Sequence, residues 1–302
     1  MRPIALFGPT GVGKTALALA LAERLRARGE DPLAVSADAL QVYRGLATLT
    51  GAPGPGEQAQ LEHRLVGVAP LSDEFSAGRF APLAHAEIDG ALADGRVPIV
   101  VGGTGLYLQA ALCELDLRPP PPVALRARIE AEVDSLGPEA LHARLALQAP
   151  GVAQGIQPGD RSRVIRATEL LEMGEDPAPA GGESELWTAS LRHPTLLCGL
   201  TMERDALYER IDAWVDRMVA AGAEGEVQRA EAAGASRTAR KALGYRELLS
   251  GDVDAMKRRT RAYAKRQLTW MRKLPGVRVL DVTGREPREV AGEVEGLWDD
   301  HS

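Results

Sequence analysis

Apolar positions along the chain fall into two textures. Short continuous runs at 4–7, 33–36, 97–101, 195–200 and 277–282 have the length and β-branched character of buried strands. Between them, apolar residues recur every three or four positions, which predicts helices over 16–28, 84–93, 124–136, 138–147, 160–173, 205–221, 224–233, 239–249 and 253–271. The first of these carries Leu17, Leu21 and Leu25 at fourfold spacing with alanine at the remaining inner positions. Strand and helix alternate through the first 112 residues and strands resume near residue 195. That order is βαβ grammar, so a parallel sheet flanked by helices is expected, with any ligand at the carboxyl ends of its strands. The stiff run Arg118-Pro119-Pro120-Pro121-Pro122 interrupts the alternation, helices alone follow it, and a loose Pro/Gly stretch spans 176–182. The division expected is therefore a core of residues 1–117 and 195–302 with a mostly helical insertion over 118–194.

The turn after the first strand carries the first chemistry. Gly8-Pro9-Thr10-Gly11-Val12-Gly13-Lys14-Thr15 links an apolar run to an Ala/Leu-rich helix, the context a phosphate-cradling loop needs. Its glycines let backbone N–H groups face anionic oxygens, Lys14 supplies a point charge, and Thr15 can hold Mg²⁺. A P-loop α/β core binding a di- or triphosphate follows from that context.

Composition narrows the setting. The 302 residues are 45% hydrophobic, enough for an ordinary core, and no apolar run approaches membrane-spanning length. A cytoplasmic protein with no membrane partner is expected, and nothing demands an oligomer, so a monomer is expected too. Cys113 and Cys198 are too few for a disulfide framework and read as buried small hydrophobes. A net charge of −6 argues against indiscriminate coating of nucleic acid, yet residues 257–273 (KRRTRAYAKRQLTWMRK) contain no acid, and Arg161, Arg163 and Arg166 form a second basic cluster.

Two further strand ends hold candidates. Asp38 follows the second strand and either takes a proton or binds Mg²⁺ through water; capping a helix is the structural alternative. Gln41 can bond a base edge or simply sit in a solvated turn. Gly102-Gly103-Thr104-Gly105 follows the third strand and allows close approach of a ligand or of backbone. Arg161 and Arg163 open a helix and suit backbone phosphate, whereas Arg166 lies within reach of Glu169 or Glu172. In the basic segment, Tyr263 and Trp270 suit base stacking or serve as core, and the cations are the better candidates for contact.

With these pieces in order, the chain resembles the tRNA dimethylallyltransferases, also called tRNA isopentenyltransferases. The matching text is GPTGVGKT, SADALQVYRG, VPIVVGGTGLYL, DRSRVIRATE, ALGYRE and TRAYAKRQLTWMR, running from residue 8 to residue 272. The resemblance implies transfer of a dimethylallyl group from dimethylallyl diphosphate to N6 of adenine 37, beside the anticodon of tRNAs that read codons beginning with U. It implies Mg²⁺ as cofactor and tRNA as partner. Lys14, Thr15, the loop residues Gly8 to Thr15, Arg210 and Arg246 would grip the diphosphate. Asp38 would act as general base. Asp38, Ala39, Leu40, Gln41 and Thr104 would face the extruded adenine and its neighbours, and Arg126, Arg161, Arg163, Lys265 and Arg266 would contact the tRNA, the insertion gripping the anticodon stem.

Departures from the family pattern cluster near the expected site. Residues 60–68 lack one histidine of the usual pair, with Arg64 in its place; residues 47–53 read ATLTGAP where members commonly read DIGTAKP. Trp214 stands where the family often has a diphosphate-binding arginine, leaving Arg210, Arg217 or Arg246 to supply the charge. A P-loop small-molecule kinase, an adenylate prenyltransferase acting on free AMP, ADP or ATP, and an RNA-binding protein with a decayed loop are the competing readings. The basic helices weigh against the first, and the insertion with its arginine cluster against the second.

Overall fold

Strand propensity and burial coincide at β1 (Ile4–Phe7), whose four residues are all fully buried. A computed structural model of the chain, describing residues 1–115, 117–178 and 190–300, places β1 at the centre of one sheet with β2 (Pro32–Ser36), β3 (His63–Arg64), β4 (Val97–Gly102), β5 (Leu196–Thr201) and β6 (Arg278–Asp281). The strand order is β3-β2-β4-β1-β5-β6 and every pairing is parallel. β1 is flanked by β4 on one side and β5 on the other, so the order reverses there and a crevice opens at its carboxyl end. The expected α/β sheet flanked by helices is the one found.

The helix Lys14–Ala27 buries Leu17, Ala18, Leu21, Ala22 and Leu25, the stripe read from the sequence. It lies against the helix Pro287–Asp299, which was not among the expected helices; Arg28 pairs with Asp299 at 2.8 Å. Other differences have local causes. The helix Ala77–Ala93 starts a full two turns before the expected residue 84, capped by Ser76, and runs through Pro82 because Phe80, Ala81, Ala84 and Ile88 are buried along it. The helix expected over 239–249 is broken: a 3₁₀ turn Ala239–Lys241 and a helix Tyr245–Leu249 are separated by Gly244 at φ 93°, where a side chain would strike Met256.

The chain divides into two compact units, Met1–Leu115 with Leu186–Ser302, and Asp116–Glu185. Thus 190–194, expected in the insertion, belong to the sheet-bearing unit: the Arg192 backbone N–H donates to the Leu112 carbonyl at 2.8 Å and its guanidinium grips Asp89 and Glu114. The loose 176–182 stretch lies outside the described residues from 179 onward. The second unit is helical, with Val123–Leu136, Pro138–Gln148, Pro150–Gln154 and Arg161–Glu172 around Ile129, Val133, Leu141, Val164 and Ile165. Among the described residues no helix is long and apolar enough to cross a membrane. Both cysteines are buried free thiols, as expected.

Candidate active site

The P-loop turns on two glycines in the left-handed region, Gly11 at φ 84° and Gly13 at φ 104°, where other residues would be strained. A Cβ on Gly11 would lie 3.0 Å from Ile211, so the loop is also seated tightly on the helix Arg204–Ala220. Lys14 is half-buried and donates to the Gly8 and Pro9 carbonyls at 2.8 and 3.0 Å. Burial pulls its pKa down to about 8, a shift that the nearby negative charge of Asp38 resists.

Gln267, absent from the residues singled out in the sequence, holds this loop in place. It is 1% exposed; its Oε1 accepts from the Thr10 backbone N–H at 2.9 Å and its Nε2 donates to the Gly103 carbonyl at 2.7 Å. One side chain on the helix Val253–Met271 thereby ties the P-loop to the glycine turn after β4. The signal was present: Thr260, Ala264, Gln267 and Met271 form a buried stripe at helical spacing, and a polar residue in such a stripe must bond something.

Three cavities converge on Asp38. One of about 280 Å³ is bounded by Thr10, Gly11, Gly13, Lys14 and Thr15 together with Arg210, Trp214 and Arg217. A second, of about 450 Å³, is lined by Ala39, Leu40, Leu49, Phe75, Thr104, Tyr107, Leu243 and Tyr263, with Lys241, Arg259 and Arg266 also on its wall. The third, of about 40 Å³, lies behind Lys14 and Thr15 beside His63. The first is a phosphate-sized cradle with cations; the second is an apolar, partly aromatic chamber suited to a base and a hydrocarbon. Asp38 borders all three, and Thr10, Thr50 and Trp214 border both larger ones.

Asp38 caps no helix. Its Oδ1 accepts from the backbone N–H groups of Leu40 at 2.9 Å and Gln41 at 3.3 Å, which fixes the carboxylate after β2. Thr104 and Tyr263 share a hydrogen bond at 3.2 Å, and burial, reinforced by Asp38, pushes the Tyr263 phenol up to about 12. That phenol stays a neutral donor or acceptor. His63 is held below its ordinary pKa by burial, against the pull of its bond to the Leu61 carbonyl and of Glu57.

Other expected residues are placed differently. The Gln41 carboxamide is committed: Nε2 donates to the Thr50 and Gly51 carbonyls at 3.4 and 3.2 Å, and Oε1 accepts from Ser36 at 2.8 Å. It borders the cradle and the small cavity, not the chamber of Thr104, and it supports the neighbouring turn. Arg210 and Arg217 reach the cradle, whereas Arg246 is exposed on the helix Tyr245–Leu249 and borders none of these cavities. Arg266 borders the chamber and lies 5.4 Å above the Tyr263 ring; Lys265 is exposed and borders none of these cavities. Arg259, one cation of the basic segment, also lines the chamber, and Lys241 is a chamber residue that sequence reasoning missed.

In the helical unit, Arg126 is not a free surface cation: it chelates Glu169, whose side chain is fully buried. Arg166 joins the same carboxylate at 3.4 Å and donates to the Arg118 and Pro119 carbonyls. Arg161 pairs with exposed Asp134 at 2.8 Å and Arg163, 74% exposed, with Asp160 at 2.5 Å. These last two contacts are solvent-screened and easily exchanged for phosphate.

Comparisons with known proteins point one way. A family described as IPP transferase matches residues 41–274. The chain is 45% identical over 287 residues to a protein named tRNA dimethylallyltransferase from Rhodospirillum centenum, covering 90% of this chain and 88% of that one. It is 40% identical over 290 residues to a protein of the same name from Thermobifida fusca, covering 91% and 88%. Among solved structures it is similar to the tRNA isopentenylpyrophosphate transferase of Bacillus halodurans, with 33% identity, a TM-score of 0.69, and 99% of this chain and 97% of that one covered. A eukaryotic dimethylallyltransferase described as acting on tRNA superposes with a TM-score of 0.74 at 25% identity, covering 94% and 74%.

Proposed function

The chain belongs to the IPP transferase family, the tRNA dimethylallyltransferases, and from that premise we propose that it transfers a dimethylallyl group from dimethylallyl diphosphate to N6 of adenine 37 in tRNAs reading codons that begin with U. The observation that carries the proposal is Asp38, standing where a cationic phosphate cradle opens into an aromatic chamber. An allylic carbon leaving diphosphate develops positive charge while the departing oxygens gain negative charge. Lys14, Arg210, Arg217 and the loop amides stabilise those oxygens. The adenine amine, a weak nucleophile, gives its proton to Asp38 as the N6–C1 bond forms.

The base enters the chamber of Thr104, Tyr107 and Tyr263, whose rings replace part of the stacking lost when it leaves the anticodon loop. Lys241 and Arg266 at that chamber, and Arg161 and Arg163 in the helical unit, are suited to hold backbone phosphates, whereas Arg259 is paired with the buried Glu247. The reading further includes a monomer acting in the cytoplasm, with the helical unit gripping the anticodon stem.

The cradle suits Mg²⁺. Among the described residues no cluster of three or more His, Cys, Asp or Glu could hold a metal alone, and the cradle offers scattered oxygens from Thr15, Asp38 and Glu57 instead. Mg²⁺ commonly keeps several waters and is bound largely through substrate phosphates, so Thr15 and the diphosphate would hold it. When bound it would neutralise charge on the leaving group.

The test is mass analysis of nucleosides from tRNA incubated with the protein, Mg²⁺ and dimethylallyl diphosphate, with AMP as a competing acceptor. Dimethylallyl adenosine in tRNA is expected. Its appearance on AMP in preference to tRNA, or phosphoryl transfer from ATP, would refute the proposal.

A further inference from the structure

Four residues border both the cradle and the chamber: Thr10, Asp38, Thr50 and Trp214. Three of them present oxygen. Trp214 alone among the four presents a hydrocarbon face, at the junction where the reacting carbon must pass between a leaving oxygen and an incoming nitrogen. It sits on the helix Arg204–Ala220, half-buried beside the fully packed Ile211 and Val215.

The indole has a prepared seat. Gly51 adopts φ 58°, and a Cβ there would lie 2.7 Å from Trp214 Cζ2, so the ring rests directly on glycine backbone. The seat is fixed from both ends of the short helix Ala47–Thr50. Gln41 donates to the Thr50 and Gly51 carbonyls, and the Glu226 carboxylate accepts from the Thr48 and Leu49 N–H groups at 3.0 and 2.9 Å. A half-exposed ring would not need such support to fill space. The arrangement holds one face at a set angle.

We propose that the Trp214 indole is the surface on which the dimethylallyl group lies, and that its π face stabilises the positive charge developing at C1 as the carbon–oxygen bond breaks. The inference rests on the transfer reaction proposed above. In that step the C1–O bond breaks with its electron pair going to diphosphate, the N6–C1 bond forms from the adenine lone pair, and the N6 proton goes to Asp38. A tryptophan face is the best neutral partner for such a cation-like centre. A guanidinium at that point would favour the leaving group and oppose the charge on carbon. Arg210 and Arg217 already serve the leaving group from within the cradle.

The experiment is single-turnover prenylation of tRNA at saturating donor, with inorganic diphosphate affinity measured separately, for wild type, Trp214→Phe, Trp214→Leu and Trp214→Arg. Trp214→Leu should slow the saturated rate about 3- to 30-fold, with Trp214→Phe between the two and diphosphate affinity within about twofold of wild type. Trp214→Arg should bind diphosphate more tightly and react more slowly. Gly51→Ala, which displaces the ring, should slow wild type to a similar degree and add nothing to Trp214→Leu; because that coupling is read in rates, folding of each variant is verified by its circular dichroism. An undiminished rate in Trp214→Leu, or a faster one in Trp214→Arg, overturns the inference and leaves the transfer reaction standing. Absence of product from wild type overturns both.

Discussion

Replacing Gln267 with leucine removes two hydrogen bonds and shortens the side chain by one bond, and the structure says what each loss costs. The Thr10 N–H loses an acceptor at 2.9 Å and the Gly103 carbonyl loses a donor at 2.7 Å, around a side chain that is 1% exposed. A buried polar group left without a partner costs about 1–3 kcal/mol, and Thr10 borders both cavities, so water can restore part of one bond. The expected loss is therefore about 2–4 kcal/mol, read from urea denaturation followed by tryptophan fluorescence. The freed P-loop should also raise KM for dimethylallyl diphosphate. Gln267→Glu is the discriminating control: it keeps an acceptor for Thr10 but sets a carboxylate against the Gly103 carbonyl, and should fare no better than leucine. If Gln267→Leu unfolds within about 1 kcal/mol of wild type, the staple does not exist in solution and the argument fails.

The lowered pKa of Lys14 has opposite signs for folding and for binding. Between about 8 and the ordinary lysine value the unfolded chain holds one more proton than the folded one, so this group's contribution to stability rises with pH across that window. Donor binding should weaken over the same range as the ammonium is lost. Calorimetry of diphosphate binding near pH 8–9, in buffers of different ionisation enthalpy, should show proton uptake; none would mean Lys14 stays charged. Asp38→Asn, isosteric but unable to accept the N6 proton, should lower the saturated rate by about 10²- to 10⁴-fold, and an unchanged rate removes Asp38 as base. In the helical unit, Arg126→Ala strands the buried Glu169 carboxylate beside Arg166 alone and should cost about 3–5 kcal/mol by denaturation, less whatever Arg166 recovers. Replacing Arg161 and Arg163 together should leave stability within about 1 kcal/mol and flatten the salt dependence of tRNA binding; an unaltered slope would make them structural.

The sheet was legible because its central strands are continuous apolar runs buried on both faces, and five of its six strands lie within one residue of their expected bounds. β3 was not: two residues, His63 and Arg64, give no period at all. The closing helix Pro287–Asp299 carries Val290, Ala291, Val294 and Trp298 at helical spacing, so its buried side against the helix Lys14–Ala27 was readable and went unassigned. The P-loop was legible because backbone geometry dictates its glycines. Side-chain assignments were harder, since the same residue type serves opposite ends. Gln41 and Gln267 are both amides near the site, yet one braces a turn and the other staples the P-loop; helical spacing marks Gln267 as buried but names neither of its partners. Arg126 and Arg161 differ only in whether a buried carboxylate waits on the facing helix.

The nearness of Asp38 and Lys14 bears on how the transfer keeps its charge balance. Burial disfavours the Lys14 ammonium and the Asp38 carboxylate offsets part of that penalty. During transfer Asp38 is neutralised by the N6 proton at the moment the diphosphate oxygens gain a full negative charge in the adjoining cradle. The anionic support of Lys14 therefore passes from carboxylate to phosphate without the buried site changing its net charge, and little reorganisation is demanded of it. This requires one residue in contact with both compartments and a lysine within its field, which explains why the cavities meet at the end of β2 rather than each closing on its own set of side chains.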